Sequence, residues 1–140
     1  MSSNDYDEGY RAGMQKMRDL AYNRIEELKV ILDNHKLWLS GKEGGVRANL
    51  SNADLSNVDL SNAYLKYANL EGANLSCTYL IGVNLSGAYL KGANISGANL
   101  YSANLSGANL EGANLEGANL KGANIKGATM TTGSKGEETE

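Results

Sequence analysis

From Ala48 to Thr132 the chain repeats itself every five residues, seventeen times without a gap. The cycle reads small, polar, leucine, variable, glycine. Leu holds the third place in fourteen cycles, with Ile95, Ile125 and Met130 in the others. Ala holds the first place in fourteen, with Val58, Thr78 and Val83 in the others. On an α-helix a step of five residues advances about 140°, which scatters the leucines over every face. On a strand an odd step sends successive leucines to opposite faces. Glycine at ten of the seventeen fifth positions would cost a helix about 1 kcal/mol each relative to alanine. A chain that turns a corner every five residues satisfies all three constraints, because each leucine then points at one shared axis.

The glycine position marks the corners. A type II turn needs a positive φ at its third residue, which glycine adopts without strain. The early cycles carry Asn52, Asn57 and Asn62 there, the residue type next most tolerant of that conformation. Two inward side chains, one small and one large, then alternate with outward polar ones. Walls closing on a narrow axis leave no room for two large side chains each.

The flanks are of another kind. In residues 1–40 apolar side chains recur at Met14, Met17, Ala21, Leu28, Ile31 and Trp38, the three- and four-residue spacing of an amphipathic helix. Tyr6, Tyr10, Leu20, Ile25 and Leu32 widen that stripe, and Asp33-Asn34 is a candidate break in it. Gly41, Gly44 and Gly45 end the helix and open a linker over 41–47. The polar stretch 133–140 is expected to be a disordered tail. The formal net charge of −3 does not suggest a nucleic-acid binder. No apolar run is long enough to span a membrane, no secretion signal opens the chain, and the single Cys77 forms no internal disulfide. A cytoplasmic location is the expectation.

Runs such as AlaAsnLeuSerGly at 103–107 and AlaAsnLeuGluGly at 108–112 resemble the pentapeptide-repeat family, whose motif is A(D/N)LXX. The segment His35–Arg47 (HKLWLSGKEGGVR) resembles the lead-in of many bacterial and phage-borne members. The resemblance implies an all-β solenoid, a right-handed quadrilateral β-helix with four pentapeptides per coil. Residues 48–132 would then make about four coils, roughly 20 Å tall at the usual spacing between strands, behind an N-terminal α-helical segment. Phe is frequent at the central position in that family and absent here, which implies an aliphatic interior.

A coil of twenty residues decides which outward side chains stack. Glu71, Lys91 and Glu111 fall in one column as an alternating-charge ladder, and Asn74, Asn94 and Asn114 in another as a candidate amide ladder. Tyr79 and Ile81 flank inward Leu80, with Tyr101 beside Ile81 and Cys77 at the corner before them. These four residues form an apolar patch on a surface of Asn, Ser and Gly, and are the candidate contact surface. Tyr64, Tyr67 and Tyr89 lie round the next corners with Tyr67 over Gly87, an aromatic cover of glycine. The second candidate is the helix, through Met14, Met17, Leu28, Ile31 and Trp38. It either caps the first coil or pairs with another chain, although Arg24 interrupts its seam.

Nothing in the sequence equips the chain for catalysis. The repeats hold no His to serve Ser or Cys77 as a base, and the chain's one His and one Cys lie far apart, so neither a metal site nor a cofactor is expected. His35, three residues before Trp38, is expected to pack. The expected role is a non-enzymatic protein-interaction or scaffolding module with an unknown protein partner, without nucleic acid or membrane. A homodimer through the helix or through the open C-terminal coil is a further expectation. The alternative, implied by the family resemblance, is a DNA mimic that binds DNA gyrase. Such a mimic needs a strong negative field, whereas residues 46–132 carry Arg47, Lys66, Lys91, Lys121 and Lys126 against Asp54, Asp59, Glu71, Glu111 and Glu116, five against five. Gyrase-binding members also dimerise through an apolar C-terminal segment, which GSKGEETE does not supply.

Overall fold

The computed structural model describes residues 3–131, without the side chains of residues 3–7 and 17–23. The side chain of Met17 and the tail expected over 133–140 lie outside the described residues.

Helix α1 spans Ser3–Leu39. It continues through Asp33 and Asn34, so the expected break does not occur. Asp and Asn lower helix propensity by only a fraction of a kcal/mol, and contacts on both sides of the pair hold the helix to the coil. The end is sharp. Lys42 N–H reaches Leu37 O at 3.0 Å, Gly41 N–H reaches Trp38 O at 3.1 Å, and Gly41 takes φ +66°. Together these form a Schellman closure around a left-handed glycine. Among the described residues no helix is long and apolar enough to cross a membrane.

Beyond Arg47 every cycle makes the same turn. The third residue's carbonyl accepts the N–H three residues on, as from Ala108 to Leu105 at 3.0 Å. The fifth position takes a positive φ in each turn from Asn52 to Gly127. Glycine and asparagine were expected there; Tyr67, Cys77 and Ser102 hold the same conformation with φ of 64°, 56° and 57°. Successive coils join at a register of twenty. Leu85 N–H donates to Asn104 O, Asn104 N–H to Val83 O and Gly87 N–H to Ser106 O, at 2.7, 2.9 and 2.8 Å. Parallel pairs run from Asn49 with Asn69 up to Asn104 with Asn124. A corner every five residues keeps each wall too short for a real strand. Among the described residues, β1 (Asn109–Leu110) and β2 (Thr129–Met130) extend to two residues, paired in parallel.

The third-position leucines and first-position alanines fill the axis as a continuous apolar core, with Leu65, Leu70, Leu90, Leu100 and Leu110 fully buried. Among the described residues of the coil the buried polar side chain is Thr78, which donates its hydroxyl to Leu55 O at 3.0 Å. That bond satisfies it in the apolar interior.

The first coil has no coil beneath it, and α1 takes that place. Leu28, Ile31 and Leu32 pack on the core. Arg24 Nη2 donates to Asp54 O at 2.7 Å, and His35 Nε2 to Lys66 O at 2.9 Å. These carbonyls point out of the open edge, where in higher coils the partner would be backbone. The helix thus replaces a missing coil in both apolar cover and hydrogen-bond donors. The contacts of Arg24 with the second wall, and of His35 with the fourth wall and Ala48, show that the helix lies diagonally across the ring. Residues 8–16 of α1 are exposed.

Candidate interaction surface

The second residue of each cycle sets the surface chemistry. Every Asn or Asp there accepts the backbone N–H two residues on with its side-chain oxygen, as in Asn94 Oδ1 with Ser96 N–H at 3.1 Å and Asn104 Oδ1 with Ser106 N–H at 3.0 Å. Where Ser follows, its hydroxyl usually adds a second bond to the same oxygen, 2.6 Å for Ser96. This is an Asx turn, and it explains why the cycle wants a short carbonyl-bearing side chain at this place. The amide ladder expected of the outward Asn residues forms in part: Asn74 Nδ2 donates to Asp54 Oδ1 at 3.5 Å and Asn69 Nδ2 to Asn49 Oδ1 at 3.4 Å, while Asn94 and Asn114 hold the bonds of their own turns. Asn119 Nδ2 likewise donates to Asn99 Oδ1 at 3.2 Å, an oxygen that also accepts Tyr101 N–H in its own turn. Asp54 and Asp59 hold the same turn geometry, and bonds from Ser56 and Ser61 keep both carboxyls below their ordinary value.

The charge ladder is also corrected. Glu71, Lys91 and Glu111 share a column, but among the described residues the ion pairs are Arg24 with Asp54 and Lys29 with Glu26. Ordering two long exposed side chains offsets the little that a solvated pair contributes.

Three second positions carry tyrosine and forgo the Asx bond: Tyr64, Tyr79 and Tyr89. Two of them belong to a group engaged by the chain's own cations. Lys36 Nζ lies 5.5 Å from the Tyr64 ring centre. The Arg47 guanidinium lies 4.7 Å from that of Tyr89, while its Nε donates to Tyr67 O at 2.6 Å. Lys66 Nζ lies 5.1 Å from the Tyr67 ring. Tyr67 covers Gly87 so closely that a Cβ there would come within 2.5 Å of the ring. This group ties the helix, the lead-in and the first coils together.

The other group is Tyr79, Ile81 and Tyr101, which are 53%, 37% and 45% exposed. Asn62 N–H bonds Ile81 O and Gly82 N–H bonds Tyr101 O, both at 2.9 Å, which sets Ile81 and Tyr101 in neighbouring coils of one column. Among the described residues no cation, ring or hydrogen bond engages the Tyr79 and Tyr101 side chains. Cys77 is exposed at the corner before Tyr79, with its Sγ beneath Gly97. One coil below, a cleft of about 190 Å³ opens between α1 and the coil, lined by Arg24, Ile25, Leu28, Asp54, Leu55, Ser56 and Val58. It adjoins the patch, since Tyr79 N–H bonds Val58 O at 3.0 Å.

The helix residues singled out from sequence divide between two roles. Leu28 and Ile31 are partly buried on the coil, and Trp38 stacks on His35 with ring centres 5.4 Å apart. Met14 is exposed, as is Tyr10 one turn before it. Arg24, read as an interruption of an apolar seam, is an edge donor instead. The packing role expected of His35 was only half of its part, for both ring nitrogens bond backbone. Helical spacing placed both residues on the right face, but it carries no information about which carbonyl lies opposite.

Known proteins match this geometry. A family model described as pentapeptide repeats matches in eight copies, over residues 46–76, 70–107 and 98–132. Among solved structures, a pentapeptide repeat protein (Rfr23) from the cyanobacterium Cyanothece 51142 is 50% identical, with a TM-score of 0.60. The match covers 61% of this chain and 58% of that one, so this chain spans less than two thirds of its relative's length. A pentapeptide repeat protein, alr5209 from Nostoc Pcc 7120, is 30% identical with a TM-score of 0.58, covering 71% of this chain and 93% of that one. No curated protein matches. The architecture these matches share is the right-handed quadrilateral β-helix, in agreement with the twenty-residue ladder.

Proposed function

Because this chain belongs to the pentapeptide-repeat family, we propose that it is a non-enzymatic protein-interaction module, whose contact surface is the wall bearing Tyr79, Ile81 and Tyr101. The observation that carries this reading is the bareness of these side chains. They are apolar or aromatic on a polar surface, they are exposed, and among the described residues no cation, ring or side-chain hydrogen bond engages Tyr79 or Tyr101. Aromatic side chains with little rotamer freedom are the residues that anchor protein interfaces. About four rigid coils hold them in fixed register, so a partner meets a preorganised face. The adjoining cleft beside Leu28 and Val58 is of a size to take one apolar side chain of that partner. The balanced charge of the repeats argues for this reading over a mimic of DNA, which depends on an acidic field.

The test is a pull-down from the source cell with the full chain, alongside Ile81→Lys and Tyr101→Glu. Loss of the captured partner from both variants, with thermal unfolding unchanged, supports the surface. Capture undiminished by either substitution overturns it. Light scattering of the same samples reports whether the partner is a second copy, through this wall or through the exposed Tyr10 and Met14 of α1.

A further inference from the structure

His35 is fully buried between α1 and the first coil, and it is the chain's only histidine. Its ring bridges two backbone groups on opposite sides. Nε2 lies 2.9 Å from the carbonyl oxygen of Lys66 and donates to it. Nδ1 lies 2.9 Å from the amide nitrogen of Ala48 and accepts from it. One neutral tautomer alone satisfies both bonds, with the proton on Nε2 and the lone pair on Nδ1. A proton added at Nδ1 would set N–H against N–H at Ala48, and would leave a charge where water does not reach.

Among the described residues no carboxylate pairs with the ring. The elements around it carry Glu26, Glu27, Lys29, Asp33 and Lys36 on α1, Lys42, Glu43 and Arg47 in the lead-in and Lys66 in the coil, and of these the charge that acts on the ring is that of Arg47. Lys36 and Lys66 are turned onto Tyr64 and Tyr67. Burial lowers the pKa of the ring below its ordinary value, against a raising contribution from the Lys66 carbonyl, and the charge of Arg47 lowers it further.

We propose that His35 is an acid-sensitive latch, whose protonation releases α1 from the N-terminal edge of the coil while the repeats stay folded. The partition is physical. Helix contacts with the first coil come from a few side chains, whereas the repeats are held by a backbone ladder and an aliphatic core that contain no histidine. Release uncovers Ala48, Leu50, Leu55 and Leu60 together with the carbonyls of Asp54 and Lys66, so a closed edge becomes an open one. The direction follows from the lowered value. Above the ordinary histidine pKa of about 6.5 the docked and released states bind the same number of protons. As pH falls below it the released state binds one more, so release becomes easier by about tenfold per pH unit until the folded ring itself titrates.

With a single histidine, ring nitrogen shifts of the wild-type protein by NMR read the site without ambiguity. Amide hydrogen exchange, corrected for its intrinsic pH dependence, reads the helix. The expected result is a ring protonated on Nε2 at pH 7.5 that titrates below 6.5. Exchange over residues 28–39 and at Ala48 should rise about tenfold per pH unit in that window, with residues 85–105 still protected. His35→Gln should show no such slope. A ring that titrates at or above 6.5 overturns the proposal, as does loss of protection in helix and repeats together, or an equal slope in His35→Gln. If His35→Gln undocks the helix already at neutral pH, the wild-type slope decides alone: one proton, in step with the ring titration, or not.

Discussion

The two groups of tyrosines break the same repeat and are treated differently by the rest of the chain. Tyr64, Tyr67 and Tyr89 each face a cation supplied by the chain, and Tyr67 also roofs a glycine. Tyr79 and Tyr101, with Ile81, stand on another wall without such partners. In both groups the departure from the repeat has a local cost. A tyrosine at the second position forgoes an Asx bond, and Tyr67 holds a positive φ that glycine would adopt freely. In the first group the cost is offset inside the fold, by cation–π contacts of about 0.5–1 kcal/mol each at exposed sites and by the cover over Gly87. In the second group no contact among the described residues offsets it. Substitutions that restore the repeat should therefore act oppositely on the two groups.

The largest effect is expected where the first group is tightest. Gly87→Ala introduces a Cβ at φ +63° and pushes it into the Tyr67 ring. The backbone contribution alone is about 1–3 kcal/mol, and displacement of the ring adds to it. Gly107→Ala carries the same backbone contribution at φ +67°, but its nearest neighbour is Gly87 N at 4.0 Å. Urea unfolding should rank Gly87→Ala as the more damaging by about 1 kcal/mol or more. In the double variant with Tyr67→Gly that excess should vanish, since the group it collides with is gone. Equal losses for Gly87→Ala and Gly107→Ala would show that Tyr67 does not press on the coil, and would remove the distinction between the groups.

The stacking of Tyr67 on Gly87 was legible in the sequence, and the reason it was legible also marks the limit of such reading. A five-residue period with glycine at the corners leaves one plausible shape, and the coil of twenty then assigns every outward residue a column. Columns say which side chains are neighbours along the axis; they do not say where a polar tip turns. Asn94 Oδ1 takes the donor of its own turn at 3.1 Å, whereas Asn99 Oδ1 takes both its own turn's Tyr101 N–H at 3.1 Å and Asn119 Nδ2 of the next coil at 3.2 Å. Glu71 and Lys91 stack without pairing because ordering two long exposed side chains offsets what a solvated pair contributes. The cap was legible as an apolar stripe but not as a set of donors. Arg24 and His35 reach Asp54 O and Lys66 O, residues some thirty positions on, and no local periodicity encodes that distance. The helix's continuity through Asp33-Asn34 is likewise a tertiary outcome, since weak local preference yields to packing on either side.

A smaller effect, opposite in sign to most substitutions, separates the two groups more sharply. Tyr79→Asn rebuilds the Asx bond to Ile81 N–H and removes a ring that no cation, ring or hydrogen bond among the described residues holds. It should stabilise the protein by about 0.5–1 kcal/mol, the net worth of one such bond. Tyr89→Asn gains the same bond but gives up the Arg47 contact, and its net change should lie near zero. Thermal unfolding of the two variants side by side checks this. Stabilisation by Tyr89→Asn as large as that by Tyr79→Asn would mean that the cation over Tyr89 contributes nothing. A Tyr79→Asn variant less stable than wild type would mean that its ring is engaged after all, and the second group would join the first.

The smallest expected effects are those of Ile81→Lys and Tyr101→Glu, and they matter because they are small. Both residues occupy the fourth place of their cycles, where Ser, Glu and Lys stand elsewhere, so charge and length are tolerated there by construction. Neither side chain covers a glycine or completes a turn. Each substitution should shift stability by no more than about 0.5 kcal/mol. By contrast Arg47→Ala, which removes a hydrogen bond to Tyr67 O and the cation over Tyr89, should lower it by about 1–2 kcal/mol. A loss above about 1 kcal/mol in Ile81→Lys, read by urea unfolding, would assign the apolar wall to the fold. A loss within the expected bound leaves that wall as surface which the fold does not need, and its retention then calls for a partner outside the chain.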